Sequence, residues 1–256
     1  MKYLFFLLLI GISQESAAQS DTISALITRL KKTTITAAEK KALRAFAFDI
    51  QNRGQRLDES GRDYKKALQL TDSAIYLFKC LQDTLSEANN RKFKGYLLGR
   101  FGKYAEGKME IRKAIQLFQL KQADWGVAVS QFDLSRLYEF QNKLDSALHY
   151  CNVAIAYWKR KANLQRVFLD QNMLINLFTK TNELTRAQKV QFESQKISDS
   201  IKPQWQGLLD FYIVSENLYN ATNEIKAANN YHRLYSKLVA DLNERGIEAN
   251  SYFNKK

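Results

Sequence analysis

The chain has 256 residues, 45% hydrophobic, 12% aromatic and 25% charged, a balance that excludes disordered and collagen-like chains. Ten glycines and a single proline leave few tight turns, and two histidines with two cysteines cannot form a conventional zinc site without carboxylates that the spacing does not supply. Rich in Leu, Ala, Lys and Gln and carrying a formal net charge of +13, the composition predicts an all-helical, basic protein.

Met1-Lys2 is followed by an apolar run from Tyr3 to Ile12 and then by Ser16-Ala17-Ala18. A positive start, a short apolar stretch and small residues at the cleavage offsets are the parts of a signal peptide, so residues 1–18 are read as one, with the mature chain starting at Gln19. An uncleaved anchor is the alternative, but the run is short for a bilayer span. No Cys stands at the cleavage point, which gives no sign of a lipid anchor, and the mature protein is expected to be soluble and exported, periplasmic or secreted. Residues 19–35 are expected to form an N-terminal helix or cap.

Between Arg91 and Lys121, nine basic residues stand against Glu106 and Glu110, so more than half of the net charge lies there. In an exported protein such a run favours acidic protein partners, anionic envelope components or plain solubility over nucleic acid.

Residues 36–246 carry an internal repeat. Gly107, Ala147, Ala187 and Ala227 lie 40 residues apart, and one step back gives Ala67. Seven residues on come Ala74, Ala114, Ala154, Ser194 and Leu234; twelve residues before the small positions of the second unit onward come Gly95, Ser135, Ile175 and Ser215, followed by Leu98, Tyr138, Phe178 and Leu218. Residues three, four and seven apart share a helix face, so small residues flanked by large apolar ones make a packing stripe along which two backbones can approach. Gly102, Asn142 and Asn182 mark breaks before second helices starting near Tyr104, Leu144 and Leu184. Each unit is therefore a helical hairpin. Asp145 and Ser146 suit the start of a second helix, Asp83 and Asp124 the starts of first helices, and Pro203 the first turn of another. In the first unit Asn52, Gly54 and Gln55 fit the stripe poorly, which predicts an insertion before Asp63. Residues 247–256 form a C-terminal tail.

The constellation Leu134, Ser135, Tyr138, Ala147 and Ala154 in LSRLYEFQNKLDSALHYCNVAI resembles the tetratricopeptide repeat (TPR) family. The resemblance covers roughly residues 40 to 245. It departs from the family in its 40-residue spacing instead of about 34, in lacking a Pro at the end of each unit, and in placing Arg91, Gln131, Gln171 and Phe211 where an early Trp is usual. The resemblance implies an all-α, right-handed superhelical solenoid of about five TPR-like hairpins. A HEAT-like array has units of similar length but lacks the small-residue constellation.

Other motifs give no chemistry. Gly102 to Met109 matches the spacing of a phosphate-binding loop, but Met109 replaces the Ser or Thr that would meet magnesium, no strand precedes it, and Gly107 already serves the repeat. His149 and His232 fall on outward or partly packed faces of second helices with no nucleophile elbow nearby in sequence. Cys151 lies on the packing stripe, and Cys80 belongs to a non-adjacent unit. Asn220-Ala221-Thr222 matches a glycosylation acceptor.

Stacked hairpins create a concave face lined by first helices. A helical wheel set by Ser135 and Tyr138 puts Lys92, Tyr96, Phe132, Arg136, Asn172, Asn176 and Tyr212 on it, together with Gly99, Glu139, Thr179, Glu216 and Tyr219. Asn can pair with a peptide backbone, Arg and Lys with carboxylates, and aromatic rings supply contact area. The resemblance implies the same use, since the family holds extended or helical peptides there. The expected function is a non-catalytic exported scaffold that binds a peptide or protein segment, an acidic one being favoured, with no cofactor and no metal. The alternative is the sensory or ligand-binding component of a signalling system acting with a separate histidine kinase or regulator.

Overall fold

The computed structural model describes residues 37–60 and 63–247, so residues 1–18, where a signal peptide is expected, the expected cap of residues 19–35 and residues 248–256 of the expected tail lie outside the described residues. Among the described residues there are ten α-helices and no strand: α1 (Ala37–Ser60), α2 (Tyr64–Cys80), α3 (Thr84–Arg100), α4 (Tyr104–Leu120), α5 (Asp124–Phe140), α6 (Leu144–Arg160), α7 (Leu164–Lys180), α8 (Leu184–Ser200), α9 (Trp205–Ala221) and α10 (Ile225–Glu244). No helix among these residues is long and apolar enough to cross a membrane.

From α2 to α8 the helices start 20 residues apart, each with 17 helical residues and a three-residue connection. The connections are made by left-handed residues. Gly102, Asn142 and Asn182 have φ of 76°, 55° and 59°, and Gln82, Gln122 and Ala162 do the same work at 56°, 52° and 51°. At each, the amide after the left-handed residue bonds back to a carbonyl of the last helical turn, as in Lys143 N to Tyr138 O at 2.9 Å and Asn163 N to Trp158 O at 3.1 Å. These bonds satisfy carbonyls that a helix end leaves unpaired. At helix starts, Asp63 Oδ1 accepts from Lys66 N at 2.9 Å and Asp83 Oδ1 from Ser86 N at 3.2 Å. Asp124 lies in the first turn of α5 and Asp145 in that of α6.

The chain divides into two compact units, one up to Lys94 and one from Gly95, with the boundary inside α3. In the first unit, Leu43, Phe46, Ala47 and Ile50 of α1 pack on Leu70, Ala74, Leu77 and Phe78 of α2. Phe48 sets its edge on Phe78 with centroids 5.0 Å apart. Gly54 is buried, its Cα facing the Ala67 carbonyl and Leu70. It precedes Ala67 by one residue more than Gly95 precedes Gly107, so the first hairpin carries one extra residue.

In the second unit the stripe is a contact between backbones. A Cβ on Gly95 would lie 2.7 Å from the Gly107 carbonyl oxygen, and one on Gly107 would lie 2.7 Å from that of Gly95. One unit on, Ser135 Oγ donates to the Ala147 carbonyl at 2.7 Å. Gly126 lets α5 pass the Phe118 ring, which any Cβ there would overlap. The main core gathers Ala147, Cys151 and Ile155 of α6, Phe168, Ile175 and Phe178 of α7, Ala187 of α8, and Phe211, Val214 and Leu218 of α9. Gly107 sits buried inside α4, so the apparent phosphate-loop spacing is helix packing.

Two expectations are corrected. Pro203 lies in the connection before α9, not in its first turn: Ile201 is extended, Gln204 is the N-cap and the helix begins at Trp205. Pro lacks an amide donor and disfavours helical backbone at the residue before it, so the chain needs one more residue to start α9. The start spacing thus rises to 21 there, and the small residue that α10 buries is Ala228, 2% exposed, while Ala227 is half-buried and Leu234 partly exposed.

Candidate docking face on the first helices

The first helices of the second unit are the end of α3, then α5, α7 and α9. Each small connection returns the chain after a second helix, so equivalent residues of first helices recur 40 positions apart and come side by side. Tyr96 and Arg136 are such a pair. Arg136 Nη2 donates to Tyr96 Oη at 2.9 Å, and its guanidinium carbon sits 4.1 Å from the Tyr96 ring centroid; Arg100 approaches the same ring at 5.8 Å. Phe140 lies beside it, with centroids 6.3 Å apart. The electron-rich ring face attracts the stacked cation.

The next link joins α5 to α7. Glu139, with a side chain 14% exposed, accepts from Asn176 Nδ2 at 2.6 Å and from Lys180 Nζ at 2.7 Å. Bonds to a carboxylate are charge-assisted and stronger than neutral ones, so Asn176 is fixed with its amide oxygen left for other donors. Toward the end of the array, Tyr219 and Tyr231 stack with centroids 5.6 Å apart and planes at 8°, and Gln191 Nε2 donates to Tyr231 Oη at 2.7 Å while Tyr219 Oη donates to Gln191 Oε1 at 3.1 Å. Burial, with Tyr219 beside it, pushes the Tyr231 phenol up to about 12. His232 Nδ1 meets Glu216 Oε1 at 3.1 Å.

Of the residues expected on this face, Tyr96, Arg136 and Asn176 are half-exposed and linked as described. Phe132 is half-buried and packs on the main core, and Tyr212 forms a triangle of rings with Phe211 and Tyr231, its phenol raised mainly by burial. Asn172 is a correction. It is 4% exposed, and its Nδ2 donates to the Gly207 carbonyl of α9 at 2.9 Å, because the absence of a side chain at Gly207 brings α9 close enough for Asn172 to be enclosed. Gly99 is likewise buried against Leu137, and Thr179 Oγ1 bonds its own helix at Ile175 O. Lys92 is half-buried in the part of α3 that belongs to the first unit. Wheel position did not reveal Arg100 and Lys180, which belong to the last turns of α3 and α7; their 40-residue offset from Phe140 was the available signal.

Cys80 and Cys151 are free thiols, and burial raises Cys151 well above the ordinary range. His149 is exposed, edge-on to Tyr150. Among the described residues no group of three or more His, Cys, Asp or Glu could hold a metal ion.

No protein-family model and no curated protein matches the chain. Solved structures do. BtubC (BKLC) from P. vanneervenii superposes with a TM-score of 0.66 at 17% identity, over 90% of this chain and 93% of that one. TPR-like repeats of a putative kinesin light chain from Podospora anserina give 0.59 at 11% identity, over 78% and 98%. The apo form of RapI gives 0.55 at 10% identity, over 94% and 98%. The fold is a TPR-like helical repeat. In TPR-like terms, α3, α5, α7 and α9 are the first helices of their units, and Gly95 with Gly107, or Ser135 with Ala147, is the close crossing of first on second helix.

Proposed function

We propose that this chain is an exported protein-interaction scaffold without catalysis of its own, and that the first-helix face of its second unit holds an extended or helical segment of a protein partner. The observation that carries the reading is the row of Tyr96, Arg136, Glu139, Asn176 and Lys180 across three helices, in which Tyr96 and Arg136 hold each other and Glu139 holds Asn176 and Lys180, while Tyr96, Arg136 and Asn176 remain half-exposed. Side chains fixed beforehand lose less entropy on binding, so such a row suits recognition. Arg100, Arg136 and Lys180 favour an acidic segment.

The chain starting at Gln19 serves as bait in a pull-down, and the recovered protein is titrated calorimetrically against variants. Arg136→Glu is expected to weaken binding more at low salt than at high salt, since exposed charges are screened beyond roughly 10 Å at 0.1 M. Asn176→Ala is expected to weaken it at both, by about 1–3 kcal/mol where it leaves a buried partner group unpaired. His149→Ala, on the second helix α6, is the control. A larger loss from His149→Ala than from the other two moves the interface to the second helices and ends this reading.

A further inference from the structure

A cavity of about 440 Å³ opens between α5 and α6, within the range of small-molecule sites. Its wall on α5 runs from Asp124 through Val127 to Gln131, a span of about 10 Å along the helix; its wall on α6 runs from Val153 through Tyr157 to Arg160 and Lys161. The two helices form one hairpin and run antiparallel, so the start of α5 lies at the end of α6. Asp124, Arg160 and Lys161 therefore share one end of the trough, and Gln131 and Val153 the other. Asp124 and Arg160 have neither a hydrogen bond nor an ion pair through their side chains among the described residues, while Lys161 rests its ammonium 5.9 Å from the Tyr157 centroid. The middle is apolar and aromatic. At the far end the Gln131 amide oxygen is buried without a hydrogen-bond partner.

We propose that this trough binds a free aromatic α-amino acid. An ammonium and a carboxylate on one carbon match an end where an acid and two bases stand together. A peptide would carry those charges at opposite ends, where the far wall offers only Gln131 and Val153. The side chain lies along Val127, Val153 and Tyr157, with a ring against a ring. The site is separate from the first-helix face described above and does not depend on it.

L-tryptophan is the probe, titrated calorimetrically into the chain from Gln19, alongside N-acetyl-L-tryptophan, L-tryptophanamide and the dipeptide Trp-Ala. Saturable binding of L-tryptophan is expected, with each blocked form weaker by about tenfold or more, as loss of a charge-assisted bond implies. Asp124→Asn is expected to weaken L-tryptophan by about tenfold and leave N-acetyl-L-tryptophan unchanged, and Arg160→Gln to weaken L-tryptophan similarly and leave L-tryptophanamide unchanged. Both positions are exposed, and circular dichroism verifies that both variants fold. No saturable binding, equal affinity for free and blocked forms, tighter binding of Trp-Ala, or indifference to both substitutions would each overturn the proposal.

Discussion

Asp170 of α7 is 1% exposed, and its Oδ2 has no hydrogen-bond partner among the described residues. Burial raises its carboxyl from 3.8 to about 8; Arg166 pulls it down, the nearby Asp133 charge pushes it up, and a hydrogen bond from Trp158 pulls it down again. The folded chain thus holds a proton at pH values where the unfolded chain has lost it. The sign follows: stability from this group is complete below about pH 4 and is lost as pH rises towards 8. Urea unfolding across that window is expected to show a falling free energy in the parent chain and a flatter profile in Asp170→Asn. Parallel profiles for the parent and Asp170→Asn through the same window would show Asp170 to be ionised in the fold. Nothing in the helical wheel announced this residue. It is enclosed only because α5, α6 and α7 meet around it, with Cys151 Sγ directed at its carbonyl at 3.5 Å.

Gly126 shows the reverse case, a residue whose lack of a side chain is used in full. Gly126→Ala forces its Cβ into the Phe118 ring, which is 0% exposed and cannot swing into solvent, so a loss on the order of 1–3 kcal/mol is expected from chemical denaturation. Gly102→Ala meets no neighbour and pays only for its left-handed backbone, roughly 1 kcal/mol. A smaller loss from Gly126→Ala than from Gly102→Ala would mean that α4 and α5 do not approach as described.

The connections differ in how well their sequences suit them. Gly102, Asn142 and Asn182 announce a left-handed turn because their side chains tolerate it, whereas Gln122 and Ala162 adopt it without any local preference. At those two and at Gln82, packing of the flanking helices imposes the turn, which is why three of the six breaks between α2 and α8 were unreadable. Ala162→Gly is therefore expected to raise the thermal midpoint slightly, since the left-handed strain it removes, about 1–2 kcal/mol, exceeds the added freedom of the unfolded chain. A lower midpoint would show that Ala162 is unstrained. In the last hairpin the extra residue around Pro203 separates two registers: Ala228→Leu is expected to destabilise by about 1–3 kcal/mol and Ala227→Leu by less, and the opposite order would restore the unbroken 40-residue spacing.

In a stack of hairpins each unit is covered by its neighbours, so the end hairpin α9 and α10 shields Phe168, whose ring lies 5.4 Å from that of Phe211. A chain ending at Ile201 is expected to remain helical by circular dichroism and to melt at a lower temperature, because only the contacts at one interface are lost; complete loss of helicity would refute nearest-neighbour stacking. The repeat length, the helix-breaking positions with Gly or Asn, and the stripe of small residues were set by the sequence alone, because they are local: a period of 40 and a face of small side chains need no partner to be read. The enclosure of Asn172 against Gly207, the acceptor role of Glu139 between Asn176 and Lys180, and the proton on Asp170 were decided by tertiary structure. Each depends on which residue of a neighbouring helix comes within hydrogen-bond reach, and a one-residue shift such as that at Pro203 changes this while leaving the hydrophobic period almost intact.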